Sequence, residues 1–328
     1  MVERLLLLVN RSAGTGYGPE LVGPLLRELR DGAGWPEELE TAVVESHPAA
    51  RTAARRFLAE SHQPAVIIAG GGGGTLRAVV EGACDGADQL PQPRQVQIGA
   101  LRMGSGNVVA RRFGVPAEPM AAMRDLATSL RDGRTASCGV IRCRFGTATG
   151  GQDVRHAVTM CGLGQFGRTS GDLVRWHRRI AARRRAMTSR LGIERVNNLE
   201  YMLSAAYRLG AATLLPRRCE LVEVALGGRV ESYRLLAGAV MNLGVAGIPF
   251  DPHVTISDAA AGVLLLPRGG RLRSRRLLPG EQLRLRLLDR PSVEFFLDED
   301  PEVAHGWLSI EAAGTLAFVP GSAYREAA

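Results

Sequence analysis

The chain has 328 residues, 45% of them hydrophobic, and a formal net charge of +8, the profile of an ordinary globular protein with one large domain or two. All 41 of its basic residues are arginine. Without lysine there is no Walker A loop, no protein-kinase phosphate lysine and no Schiff-base chemistry, each of which needs the lysine amine.

In chain order, the first apolar run is Leu5–Val9. It is continuous and short, which predicts a parallel strand covered on both faces. It is also too short for a signal peptide, and Glu3 precedes it, so the expected location is cytoplasmic, with visits to the inner membrane surface. No run approaches the roughly 18 apolar residues of a membrane span. Helical spacing follows over Pro19–Arg30 and Ala49–Ala59, then a second apolar run at Ala65–Ala69, a helix at Thr75–Ala83 and a weaker strand at Val96–Leu101. This alternation predicts a doubly wound α/β domain over residues 1–132. Beyond Gly133 the texture changes to short runs divided by Gly, Pro or charged turns: Val140–Arg144, Ala157–Cys161, Glu220–Leu226, Tyr233–Val240, Gly262–Leu266, Gln282–Leu287 and Val293–Leu297. That spacing predicts an antiparallel β-sandwich over residues 133–312, with a helical insert at about 171–214. The apolar run Thr315–Val319 lets the segment 313–328 return to the first domain. The five cysteines form no CxxC pair, which predicts buried reduced thiols rather than disulfides or a zinc site.

Three loops carry residue types suited to phosphate. The strand at Ala65–Ala69 runs into Gly70, Gly71, Gly72, Gly73, Gly74 and Thr75 before its helix. Glycines let backbone N–H groups approach a phosphate, and the helix N-terminus adds a favourable partial charge. Alone, such a run is also an ordinary flexible turn. A second loop, with Gly104, Ser105, Gly106 and Asn107, again lies between a strand and a helix. A third, with Asn10, Ser12 and Gly14, follows the first strand. Loops at the C-terminal ends of parallel strands gather at one edge, where open α/β sheets bind ligands.

With these residues in view, the chain resembles the catalytic domain of diacylglycerol kinases and their sphingosine and bacterial lipid kinase relatives. That family has an Asn-Pro-x-Ser-Gly turn, matched by Asn10, Ser12 and Gly14. Its Gly-Gly-Asp-Gly-Thr loop is matched by Gly71, Gly72, Gly74 and Thr75, and its Gly-Thr-Gly-Asn segment by Gly104, Ser105, Gly106 and Asn107, with Ala110 beyond. Further on, Cys161–Gly164, Met241–Asn242, Gly247, Pro252 and Asp258 follow the family's order, and Asp298–Asp300 falls on its Asp-Gly-Glu. The resemblance implies ATP held by the three loops, Mg²⁺ near Asp258, Asp300 as general base, and a lipid hydroxyl as acceptor. NAD kinases share the glycine loop, but the downstream order fits lipid kinases better.

The departures point the other way. Gly73 stands where the family has the loop aspartate, Arg77 and Ala78 where it has Asn and Glu, Arg102 where it has Pro, and Val108 where it has Asp. Ala259 and Gly262 replace the Gly and second Asp of the sandwich turn. Phosphoryl transfer relies on positioning and charge neutralisation, and Mg²⁺ takes oxygen ligands, so these losses predict impaired catalysis. A catalytically impaired relative that binds nucleotide or lipid is therefore the alternative to an active kinase. The acidic turn around Asp300 is equally readable as a solvated loop.

Within the insert, Arg175, Trp176, Arg178, Arg179, Arg183, Arg184 and Arg185 form a basic stretch with interleaved apolar residues. An anionic membrane surface suits such a segment, and so does plain solvent. Nucleic acid is not expected, for lack of any accompanying motif, and the reading leaves room for a homo-oligomer.

Overall fold

The computed structural model describes residues 4–13, 19–31, 38–60, 64–84, 90–92, 95–104, 107–176, 197–215, 218–243, 254–298 and 300–325. The chain forms two compact units. The first comprises Met1–Val140, Ile256–Ala259 and Ala313–Ala328, and the second Ile141–Thr255 with Ala260–Ala312.

In the first unit, strands β1 (Arg4–Asn10), β2 (Glu38–Val44), β3 (Ala65–Gly71) and β4 (Val96–Arg102) run parallel in the order β2-β1-β3-β4. The last residues of β15 (Trp307–Phe318) extend the sheet, with Ala317 and Phe318 parallel to Gln97 and Ile98 of β4. Helices α1 (Val22–Asp31), α2 (His47–Ala59), α3 (Gly73–Ala83), α4 (Val108–Arg112) and α5 (Pro119–Arg131) complete the unit. Every residue of β3 is buried, as a strand covered on both faces requires. No apolar run marks β2, because it is a half-exposed edge strand whose Glu38 and Glu40 ion-pair with Arg4 at 2.7 and 2.5 Å. Caps fix the helix starts: Ser46 accepts from the Ala49 N–H, and Glu118 accepts from those of Met120 and Ala121. Those two backbone bonds hold the Glu118 carboxyl below its usual range.

The second unit is built on antiparallel ladders. It contains β6 (Gln152–Ala157), β7 (Met160–Leu163), β8 (Glu220–Leu226), β9 (Arg229–Met241), β10 (Ala261–Pro267), β11 (Arg273–Leu277), β12 (Gln282–Leu287), β13 (Ser292–Leu297) and β14 (Asp300–His305). It also takes most of β5 (Ala136–Gly146) and the first part of β15. The order runs β14-β13-β7-β9-β8-β12-β15, with β10 and β11 branching from β9. One core joins Ile141, Val222, Val240, Val263, Leu283 and Phe295 with their neighbours. Three strands unmarked by apolar runs are edges: β6 pairs with β5 alone, β14 carries Pro301 and pairs with β13, and the arginine-rich β11 pairs with β10. Charge and proline are what edge strands tolerate. The expected strand Ala157–Cys161 is instead broken at Val158–Thr159, whose N–H groups turn to the Asp298 carboxylate rather than to a ladder.

The helical insert contains α6 (Gly164–Gly167), a helical stretch at 169–176 and α7 (Asn197–Leu214). The Asp172 carboxylate accepts from Arg208 Nε at 2.5 Å and Arg175 Nη2 at 2.9 Å, and Arg175 also reaches Glu294 at 3.0 Å. All five cysteines are buried and none is in a disulfide. Among the described residues, no helix is long and apolar enough to cross a membrane.

Candidate functional site

The first unit brings its three loops into contact at the C-terminal ends of β1, β3 and β4. Asn10 Nδ2 donates to Thr75 Oγ1 at 2.9 Å, joining the turn after β1 to the glycine loop. The Asn10 side-chain oxygen also accepts the Ser12 N–H at 2.9 Å, which closes the turn after β1. The glycine loop meets the loop that begins at Gly104 through bare backbone. A Cβ added to Gly104 would lie 2.2 Å from the Gly72 Cα, so only glycine fits there. Met103 N–H donates to the Gly71 carbonyl at 3.2 Å beside this contact. Asn107 sits in the left-handed region, at φ 48°, and its side chain accepts the Gly104 N–H and donates to the Gly104 carbonyl. Asparagine tolerates this conformation better than most side chains.

Helix α3 starts at Gly73 with no side-chain cap and no acidic residue in its first turn. The leading N–H groups of a helix have no intrahelical acceptor and carry the positive end of its dipole. Gly73 is exposed, and a Cβ there would meet nothing within 4 Å. The position at which the resemblance calls for an aspartate is thus open and uncrowded, and it supplies only backbone.

The same helix holds a feature that sequence reasoning passed over. Arg77 and Glu81 are 1% and 2% exposed and pair at 3.0 Å, with Glu81 also 2.9 Å from His47 Nε2 on α2. Ala78, standing for the family's Glu, is fully buried. The signal was available as an i,i+4 Arg–Glu pair in an otherwise apolar helix. It reads as surface charge until the α2 packing is known.

In the second unit the acidic turn divides into two roles. Asp298 is buried in the left-handed region at φ 50°. Its carboxylate accepts from Val158 N, Thr159 N, Thr159 Oγ1 and Met160 N at 2.5–3.0 Å, fastening the β13–β14 turn to the β6–β7 turn. Asn242 is also buried beside that turn, and its N–H donates to the Thr159 carbonyl at 2.9 Å. Asp300 opens β14, half-buried and opposite Leu297. Of the two aspartates, Asp298 is committed to the backbone.

Asp258 is half-buried on the Ile256–Ala259 segment, which belongs to the first unit. Among the described residues, no three His, Cys, Asp or Glu side chains gather into a metal site. Arg175 is held in the Asp172 and Glu294 pairs, and Trp176 is 45% exposed. Gly14, Ser105, Gly106, Arg178, Arg179, Arg183, Arg184, Arg185, Gly247, Pro252 and Glu299 lie outside the described residues.

Residues 4–140 match the family model of the diacylglycerol kinase catalytic domain. A comparison with curated protein sequences finds no match. Solved structures similar in fold come from Bacillus anthracis str. Sterne. One, provisionally assigned as a diacylglycerol kinase, is 14% identical with a TM-score of 0.64, covering 98% of this chain and 97% of that one. A second with the same provisional assignment is 15% identical with a TM-score of 0.59, covering 98% and 99%. A third, described as a diacylglycerol kinase, is 14% identical with a TM-score of 0.58, covering 98% of each. The chain thus resembles the diacylglycerol kinase catalytic domain family in sequence over residues 4–140 and shares the fold of these proteins over nearly its whole length.

Proposed function

We propose that the first unit binds ATP on its three joined loops, and that phosphoryl transfer to a lipid hydroxyl is strongly impaired or lost. The observation that carries this is Gly73, an exposed position at the start of α3 with open space around it and no carboxylate. The loops fit a polyphosphate: Gly72 and Gly104 meet without side chains, and the N–H groups of Gly73 and Gly74 begin a helix. Bound ATP would supply the phosphoryl group. Asn10, Ser12, Gly71–Thr75 and Gly104–Asn107 would hold and orient it. Mg²⁺ fits less well, because Asp258 has no gathered partner carboxylates among the described residues. The protein then serves as a nucleotide- or lipid-binding regulatory module built on a kinase scaffold.

The retained Asp300 favours the second reading, a working lipid kinase with that residue as base. Its turn is held rigidly by Asp298, as a positioned base requires. Two measurements decide. Calorimetric titration of the purified protein should give ATP binding, while labelled γ-phosphate should reach mixed diacylglycerol and sphingoid lipids slowly or not at all. Turnover like that of ordinary kinases, about 1–100 per second and abolished by Asp300→Asn, would establish the active enzyme instead. If neither ATP nor ADP binds or raises the melting temperature, the nucleotide site is wrong.

A further inference from the structure

The second unit contains a cavity of about 670 Å³ at the open end of the sheet formed by β8, β9, β10 and β11. Its size falls in the range of small-molecule sites. Strand register accounts for its chemistry. Side chains directly opposite each other on paired strands share a face, and Val224, Val263 and Leu265 face the core. Their partners across the ladder are Glu231, Arg275 and Arg273, and the next pair outward is Leu226 with Arg229. A row that should be apolar on both strands therefore carries a charge on one. Inward charges on the edge strand β11 would discourage edge pairing, and the Arg229–Arg234 part of β9 pairs with β8 alone, but the charges surround an open volume rather than a collapsed one.

Two polar groups there lack protein partners. The Tyr233 hydroxyl is buried and has no hydrogen-bond partner, and Arg229 forms no ion pair with any described residue. Burial pushes the Tyr233 phenol up, so it stays a neutral donor. The remaining guanidiniums are positioned: Arg273 pairs with Glu231 and lies 5.0 Å from the Tyr233 ring centre, and Arg275 holds Glu281 at 2.6 Å. Three arginines against Glu231 and Glu281 leave the site with one positive charge in excess, that of Arg229. The cavity is also remote from Asp300. Arg275, Val263, Val240, Cys161, Leu297 and Asp300 form one row across six strands, which spans on the order of 20 Å along the sheet.

We propose that this cavity binds a single-chain amphiphilic anion, its head on Arg229 and Arg273 and its chain against Val263 and Leu265. This is a site distinct from the one at which Asp300 would meet a lipid hydroxyl. The test is calorimetric titration of the full chain with decanoate, decanol and inorganic phosphate. Decanoate should bind, with decanol and phosphate each at least about tenfold weaker, since head and chain both contribute. Arg229→Glu and Leu226→Trp, both at the rim, should each weaken decanoate about tenfold or more with the melting temperature retained. Arg276→Ala, on the opposite face of β11, should leave binding unchanged. No decanoate binding, phosphate binding as tight as decanoate, or indifference to both rim variants would each overturn the proposal.

Discussion

Gly104→Ala tests whether the backbone contact between two loops makes the candidate site. A Cβ there lies 2.2 Å from the Gly72 Cα and 2.9 Å from the Gly72 nitrogen, whereas carbon atoms pack at roughly 3.5–4.0 Å. The obstacle is backbone and cannot rotate aside, so the loops must part by roughly 1.5 Å. Overpacking of this kind costs about 1–3 kcal/mol. With about 2–4 °C per kcal/mol for a unit of this size, the melting temperature should fall by roughly 2–12 °C. ATP affinity should fall about tenfold or more, because N–H groups arranged for one phosphate chain no longer converge. Gly73→Ala is the control, since its Cβ meets nothing within 4 Å. As the control for stability, it should leave stability unchanged or up to about 1 kcal/mol higher. Calorimetric melting with and without ATP reads both variants. A Gly104→Ala protein that melts and binds ATP like the wild type would refute the reasoning.

The remaining expectations concern the second unit and α3. Asp298→Ala should lower stability in urea by at least about 3 kcal/mol, because it strands buried N–H groups. Asp300→Ala should cost about 1 kcal/mol or less; equal losses would contradict the division of roles. Arg77→Ala, which leaves Glu81 buried beside a void, should cost about 3–5 kcal/mol, and the paired change Arg77→Met with Glu81→Leu should recover most of it. A double-mutant cycle without coupling would show that the pair is incidental. For Asp172, burial alone raises the carboxyl, but hydrogen bonds from Arg208 and Arg175 outweigh it and hold the group below its ordinary value. Its folded pKa is depressed, so its contribution is full above about pH 4 and fades as pH falls below that. Asp172→Asn should therefore flatten the acid limb of a stability–pH curve in that window, and unchanged limbs would exclude the clasp.

The elements legible in the sequence were those with a strong local signature. The buried strands β1 and β3 read as continuous apolar runs, and β8 and β12 fall at their expected bounds of Glu220–Leu226 and Gln282–Leu287. Edge strands escaped because their chemistry is made to resist pairing: β2 has its glutamates, β11 its arginines and β14 its proline. The three glycine-bearing loops were found by residue type. What residue type cannot give is contact between distant chain segments. That Gly72 touches Gly104, that Asp298 reaches back to Val158, and that Glu81 is buried by α2 all depend on packing across many residues. The inward arginines of β11 were hidden for a related reason, since a basic run becomes informative only when its register against Val263 and Leu265 is known.

The β4–β15 pairing has a consequence for how the molecule is made. Ile98 pairs with Phe318, and Phe113 stacks on Phe318 at 4.3 Å between ring centres. Tyr324 closes the same corner, its hydroxyl 2.8 Å from Ser257 Oγ. The stretch 4–140, although it matches a domain family by itself, thus lacks a strand and two aromatic rings of its own unit. During synthesis the nascent α/β sheet must wait, with the flank of β4 uncovered, until the entire antiparallel unit has left the ribosome. Its completion comes only after the antiparallel unit has been made and its contact order is high, which slows folding and lengthens the exposure of an apolar strand. Expressed alone, residues 1–140 should aggregate where the full chain does not, and a circular permutant joining the C-terminal strand to β1 should fold faster than the natural order.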